Sequence, residues 1–154
     1  IVPKQEKRKI PTQLDDFTSP TVNTYSLETT IAEKLDAILD LMEFSSRMKD
    51  YYDIYYLANK FDFDGATLTK ALEKTFENRG HAFTIEQFEQ VMAFAENDAM
   101  QKKWKAFTRK IDIKTDDYST VLKTIKSFLT KPYTATVRDK EFNEKWSAYS
   151  GTWM

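Results

Sequence analysis

Ser26-Leu27-Glu28-Thr29-Thr30-Ile31-Ala32-Glu33-Lys34-Leu35-Asp36-Ala37-Ile38-Leu39 is followed, after residues 40–46, by Arg47-Met48-Lys49-Asp50-Tyr51-Tyr52-Asp53-Ile54-Tyr55-Tyr56-Leu57. At about 100° per residue, Leu27, Ile31, Leu35, Ile38, Leu39 and Met42 line one face of a helix that ends near residue 43. Ile54, Leu57, Ala58 and Phe61 do the same for a second helix, from about Arg47 to Lys60. Only Phe44-Ser45-Ser46 joins them, so the two pack antiparallel. Both stripes carry charge. Asp50 lies four residues before Ile54 and points into the stripe, and Arg47 is turned the same way. Lys34 sits at the edge of the first stripe, where it can bury its stem and present its ammonium at the seam, within reach of Asp50 or Asp53. Charged groups are rarely buried unless paired. The hairpin therefore holds either a structural ion-pair network or a site, because a cation beside a carboxylate is also what phosphoryl transfer uses.

The same period continues downstream. Asp64-Gly65 opens a third helix, from Ala66 to about Asn78, with Gly80 as its stop. Thr84 and Gln87 have capping-box spacing for a fourth, whose stripe of Phe88, Val91, Met92 and Phe94 breaks near Asn97. Ala99 to Lys110, with Trp104 and Phe107, is a fifth. After the connector Ile111 to Lys114, Asp116 or Asp117 caps a sixth through Val121, Leu122, Ile125, Phe128 and Leu129, which Lys131-Pro132 should end. The expected fold is mainly α: a bundle of about five to six helices with a short extended or β N-terminal arm. Residues 1–25 form that arm, with Pro3, Pro11, Pro20 and Thr21-Val22-Asn23-Thr24-Tyr25. Residues 26–132 form the helical domain. Residues 133–154 form an extended tail with a short helix, whose Phe142, Trp146 and Trp153 either pack on the bundle or reach a neighbour.

Composition narrows the chemistry. With 154 residues the chain is long enough for one real core. It has no cysteine, which removes disulfides, thiol nucleophiles and the usual zinc sites and fits a cytoplasmic protein. No apolar run approaches the roughly 20 residues that span a bilayer, so no membrane partner is expected. From Gln101 onward there are twelve Lys/Arg against six Asp/Glu, a balance of +6, whereas the first hundred residues carry −7. Such asymmetry points weakly to a polyanion-facing second half, or simply to solvated helix faces.

Other candidates are weaker. The pair Asp62 and Asp64 has metal-chelating spacing, but Asp64 reads better as a helix cap, so no metal ligand is assigned. His81, the single histidine, falls in a loop and is expected to be exposed. Lys49 points away from the stripe and is expected to be solvated, while Tyr51, Tyr52, Tyr55 and Tyr56 read as packing and rim groups. No glycine precedes Gly65, so no glycine-rich phosphate loop lies ahead of Lys34.

Tyr25-Ser26-Leu27-Glu28, Ala32-Glu33-Lys34-Leu35, Arg47-Met48-Lys49-Asp50-Tyr51-Tyr52-Asp53-Ile54, then Leu68, Ala71, Thr75-Phe76 and Arg79 resemble AbiEii-type nucleotidyltransferases, toxins of abortive-infection and toxin–antitoxin systems. The resemblance spans about residues 10–110. It implies a two-part enzyme in which an N-terminal α/β domain carries a Gly-Ser loop and an Asp-x-Asp, and a C-terminal helical domain adds a lysine and an aspartate. On that likeness Lys34 contacts the triphosphate, Asp50 (with Asp53 as second choice) assists the acceptor hydroxyl or steadies the lysine, and Arg47 supports phosphate binding. Mg2+ and an NTP are expected with the full-length protein, neither with this portion alone. An acceptor such as tRNA and a cognate antitoxin are the implied partners. Because the Gly-Ser loop and Asp-x-Asp strand do not precede Lys34, the chain reads as the helical portion of a longer transferase, inactive by itself. The competing expectation is a non-enzymatic helical module that binds a protein and whose buried ion pairs are structural.

Overall fold

The computed structural model describes residues 26–154, and the arm expected over residues 1–25 lies outside them. Among the described residues there are six helices: α1 (Leu27–Leu41), α2 (Met48–Lys60), α3 (Gly65–Arg79), α4 (Ile85–Ala93), α5 (Asp98–Lys110) and α6 (Tyr118–Val137). The fold is mainly α. Side-chain oxygens start most of them. Ser26 accepts from the Thr29 amide, Asp64 from Thr67, Asn97 from Met100 and Asp117 from Thr120, at 2.9–3.2 Å. The Thr84–Gln87 capping box is complete in both directions. Asp117, not Asp116, caps α6. Gly80 ends α3 at φ 69°, a left-handed conformation that favours glycine.

Burial follows the apolar stripes. Ile31, Leu35 and Ile38 of α1, Ile54 and Leu57 of α2, and Leu68 and Leu72 of α3 meet Val121, Ile125 and Phe128 of α6 in one core. Helix α6 packs against α2, α3, α4 and α5, and α1 lies between α2 and α3. Each stripe is hidden by its neighbours, so tertiary packing and not local propensity supplies most of the helices' stability.

Two expectations fail at the C-terminal end. Pro132 does not stop α6, which continues to Val137. A proline inside a helix cannot donate to the carbonyl four residues back, here that of Phe128. That carbonyl instead accepts from the Trp153 indole at 2.9 Å, so the cost of the break is offset by the tail. The tail itself is not a short helix. It forms two strands, β2 (Lys145–Ser147) and β3 (Thr152–Trp153), which continue β1 (Phe63–Asp64) into an antiparallel sheet in the order β1-β2-β3. Trp146 pairs with Phe63 on one side and Trp153 on the other. The Trp146 indole donates to Ala58 O at 2.7 Å, satisfying a carbonyl in the last turn of α2. The tryptophan tail thus packs on the bundle.

Candidate functional site

A tight turn sets the two charged helices against each other. After the 3₁₀ turn Met42–Phe44, the Ser45 hydroxyl accepts from the Arg47 amide at 3.0 Å. The Lys103 ammonium then donates to the carbonyls of Glu43 and Ser45, both at 2.9 Å, which ties the turn to α5. Lys34, in the middle of α1, is thereby placed opposite the first two turns of α2.

There the structure brings together the residues singled out from the sequence. Lys34 Nζ lies 2.9 Å from Asp53 Oδ2 and 3.5 Å from Asp50 Oδ1. Arg47 Nε lies 3.0 Å from Asp50 Oδ2. Lys49, expected to be solvated, is instead a member: its ammonium is 2.8 Å from Asp53 Oδ2. The signal was the Lys49–Asp53 spacing of four, which puts opposite charges one turn apart on a helix. Arg47 was expected to turn inward, but it precedes the first turn of α2 and keeps its side chain 59% exposed, reaching Asp50 from the rim. Asp50 in that first turn also faces the favourable end of the helix dipole.

The cluster is dry inside and wet at its edge. Asp53 is fully buried, Asp50 is 3% exposed and Lys34 8%, whereas Arg47 and Lys49 open toward solvent. Lys34, Lys49 and Arg47 thus face the carboxylates of Asp50 and Asp53. Burial holds the Asp53 carboxyl above its ordinary pKa, with Lys34 and then Lys49 opposing that rise. Burial likewise pushes the phenol of neighbouring Tyr51 up to about 12. Because Asp53 Oδ2 has two ammonium partners, one of them can turn to another anion without stranding a buried carboxylate.

A second charged group lies on the other side of α1. Asp36, 1% exposed, accepts from His81 Nδ1 at 2.8 Å, and Arg79 approaches Asp36 at 3.8 Å and Glu33 at 3.6 Å. His81 is therefore a half-buried pairing group, not the exposed loop residue expected from its Arg79-Gly80 context. Its partner forty-five residues upstream left no local trace in the sequence.

Asp62 and Asp64 do not form a chelating pair. Asp64 caps α3 and pairs with Lys145 at 2.6 Å, while Asp62 accepts from the Ala148 amide at 2.8 Å. Among the described residues no group of three His, Asp or Glu side chains is placed to hold a metal. Asp50 and Asp53 face ammonium and guanidinium groups, so this donor set does not suit Mg2+.

Further along α2, Tyr52, Tyr55 and Tyr56 line a groove of about 540 Å³ that Lys60 and Lys114 border. Among the described residues no helix is long and apolar enough to cross a membrane.

A helical domain whose first hairpin sets lysine and arginine side chains against two aspartates carries the kind of donors that phosphate-bearing groups also use. The chain belongs to the AbiEii family: the family model for the nucleotidyl transferase AbiEii toxin of type IV toxin–antitoxin systems matches residues 1–146. That membership indicates a nucleotidyltransferase toxin and implies a cognate antitoxin as partner. No curated protein and no solved structure matches the chain.

Proposed function

We propose that this chain supplies the phosphate-facing helical wall of an enzyme that transfers nucleotides from an NTP to an RNA acceptor such as tRNA, in the cytoplasm. The observation that carries the reading is the shared carboxylate oxygen: Asp53 Oδ2 is held by Lys34 at 2.9 Å and by Lys49 at 2.8 Å. In the resting cluster Lys34 is neutralised by Asp53 and Asp50. When a triphosphate enters, Lys34 donates to its oxygens and stabilises the charge that builds on the leaving group, while Lys49 keeps Asp53 paired. Asp50, fixed by Arg47, steadies Lys34 and orients the acceptor hydroxyl, and Arg47 adds a second donor at the rim.

These residues offer no ligands of their own for Mg2+, and no Gly-Ser pair or Asp-x-Asp stands ahead of Lys34 in the 154 residues. The reading therefore assigns NTP- and metal-binding to a partner region of that type, without which this portion does not turn over.

The deep burial of Lys34, Asp50 and Asp53 is also what a purely structural ion-pair network in a protein-binding module would show. Nucleotide transfer to RNA from a radiolabelled NTP separates the two, measured in protein that carries the Gly-Ser and Asp-x-Asp region. Lys34→Ala and Asp50→Asn are expected to abolish transfer with the helical circular dichroism signal intact. Variants that keep full activity, or lose it only by unfolding, would return the cluster to a structural role.

A further inference from the structure

Among the six described helices, α2, which carries Asp50 and Asp53, is the one that begins without a side-chain cap. The helix before it also ends without the usual devices. The last turn of α1 holds no basic residue, and Met42 closes it at φ 52°, in the left-handed range where glycine is favoured. Both ends at this hairpin are held from outside. Lys103 of α5 donates to the carbonyls of Glu43 and Ser45, each at 2.9 Å, and so supplies the cation and the donors that the turn lacks. Ser45, 1% exposed, in turn accepts through its hydroxyl from the Arg47 amide at 3.0 Å, one residue before α2 starts. Lys103 is itself firmly seated. The next residue, Trp104, is buried and donates to the Asp116 carbonyl at 3.1 Å, and Met100, one turn back on α5, is buried as well.

We propose that Lys103 is a positioning residue for nucleotidyl transfer: from α5 it fixes the α1–α2 turn, and through that turn the placement of Lys34 against Asp50 and Asp53. Lys34 lies about two turns before the end of α1, and Asp50 lies in the first turn of α2. The turn between them therefore decides how far one helix slides along the other. The contacts leave little room for a slide. Lys34 Nζ is 2.9 Å from Asp53 Oδ2 and 3.5 Å from Asp50 Oδ1, so a displacement of about 1 Å breaks at least one of them. Lys103 grips the backbone of the turn and not the side chains of the cluster, so its influence on them is indirect. A charged group that must meet a phosphoryl oxygen needs this kind of support, because a reacting group held loosely loses most of its effect. The proposal rests on the nucleotidyl-transfer reading for the reaction that Lys103 serves.

The test has two arms. In the 154-residue chain, the carboxyl-carbon resonances of Asp50 and Asp53 are compared between the parent, Lys103→Met and Lys103→Arg. Lys103→Met keeps the apolar stem but loses the donors, and is expected to shift both resonances although it touches neither carboxylate. Lys103→Arg, whose guanidinium can still donate to two carbonyls, is expected to leave them in place. Lys102→Met, the exposed neighbour on α5, controls for the loss of a surface charge. Should Lys103→Met fail to fold by circular dichroism, Lys103→Gln takes its place. In the transfer-competent protein, Lys103→Met is expected to lower kcat about 10- to 100-fold. KM for the NTP should stay within about twofold, since an interaction made in the transition state is what suffers. Lys103→Arg should restore kcat and Lys102→Met should leave it unchanged. A purely structural lysine would lower the melting temperature while kcat per folded molecule and both resonances stayed put, and that result overturns the proposal. Failure of the arginine variant to rescue would overturn it as well. The two readings fail separately: shifted resonances in a parent that transfers no nucleotide sink the enzyme reading, whereas full kcat in folded Lys103→Met sinks the positioning role alone.

Discussion

The Trp153 indole N–H donates to the Phe128 carbonyl at 2.9 Å, and Phe128 is the residue whose carbonyl Pro132 leaves without its helical donor. The two rings also stack, 5.9 Å apart and 1° from parallel. Trp153 thus repairs a break inside α6, the longest of the described helices, and the sheet and the helix depend on each other. Trp153→Phe keeps an aromatic ring but removes the donor, and is expected to cost about 1–3 kcal/mol, the penalty for a buried acceptor left unsatisfied. Trp153→Ala removes the packing as well and should cost about 3–5 kcal/mol. Urea denaturation of the two variants checks the order, and equal costs would mean that packing alone matters.

Gly65 gives the opposite of the usual helix result. Replacing glycine by alanine within a helix normally stabilises it by roughly 0.5–1 kcal/mol. Here a Cβ would stand 2.6 Å from the Glu144 carbonyl oxygen and 2.6 Å from the Phe142 ring, while the Gly65 amide donates to that same oxygen at 2.8 Å. Gly65→Ala is expected to destabilise by about 1–3 kcal/mol, because backbone cannot rotate away as a side chain can. Thermal unfolding followed by circular dichroism checks it, with a raised melting temperature as the contrary result.

What could be read in advance followed local periodicity and capping. The stripes of α1 and α2, the caps at Ser26, Asp64 and Thr84, and the glycine stop at Gly80 are all written within a few residues. The approach of Lys34 to Asp50 and Asp53 was legible too, because a short connection forces the hairpin. What stayed hidden depends on partners distant in sequence. Pro132 is tolerated only because Trp153 returns to Phe128, and β1 exists only because Trp146 comes back beside Phe63. His81 is paired only because α3 ends beside Asp36. No pattern in a short window carries those meetings.

Asp53 and Asp64 should titrate in opposite directions. Burial raises Asp53 above the ordinary value of 3.8, and the Lys145 ammonium, above all, lowers Asp64 below it. The signs for stability follow. A carboxylate raised on folding contributes stability below its unfolded pKa and loses it as pH rises through the folded value. A depressed one contributes above its unfolded pKa and loses it as pH falls through the folded value. Carboxyl-carbon NMR titration is therefore expected to place the Asp53 midpoint above 3.8 and the Asp64 midpoint below it. The stability advantage of the parent over Lys145→Met should fade in acid. Midpoints in the reverse order would mean that the ammonium groups, and not burial, dominate at Asp53.

Lys34 and Lys49 share one oxygen of Asp53, and that sharing makes a prediction about additivity. Removing one partner of an isolated buried pair costs about 3–5 kcal/mol because the other charge is stranded. Here each single replacement leaves Asp53 with an ammonium, so Lys34→Met and Lys49→Met should each cost less than that range. Lys34→Met should be the dearer, since Lys34 is the more deeply buried and also faces Asp50. The double variant strands the carboxylate and should exceed the sum of the singles by about 0.5–3 kcal/mol, read as the interaction energy of a double-mutant cycle. Additive losses would mean that the two lysines do not substitute for each other. In that case Lys34 could not leave Asp53 for a phosphate oxygen without a heavy penalty, and the exchange on which the proposed chemistry rests would be closed to it.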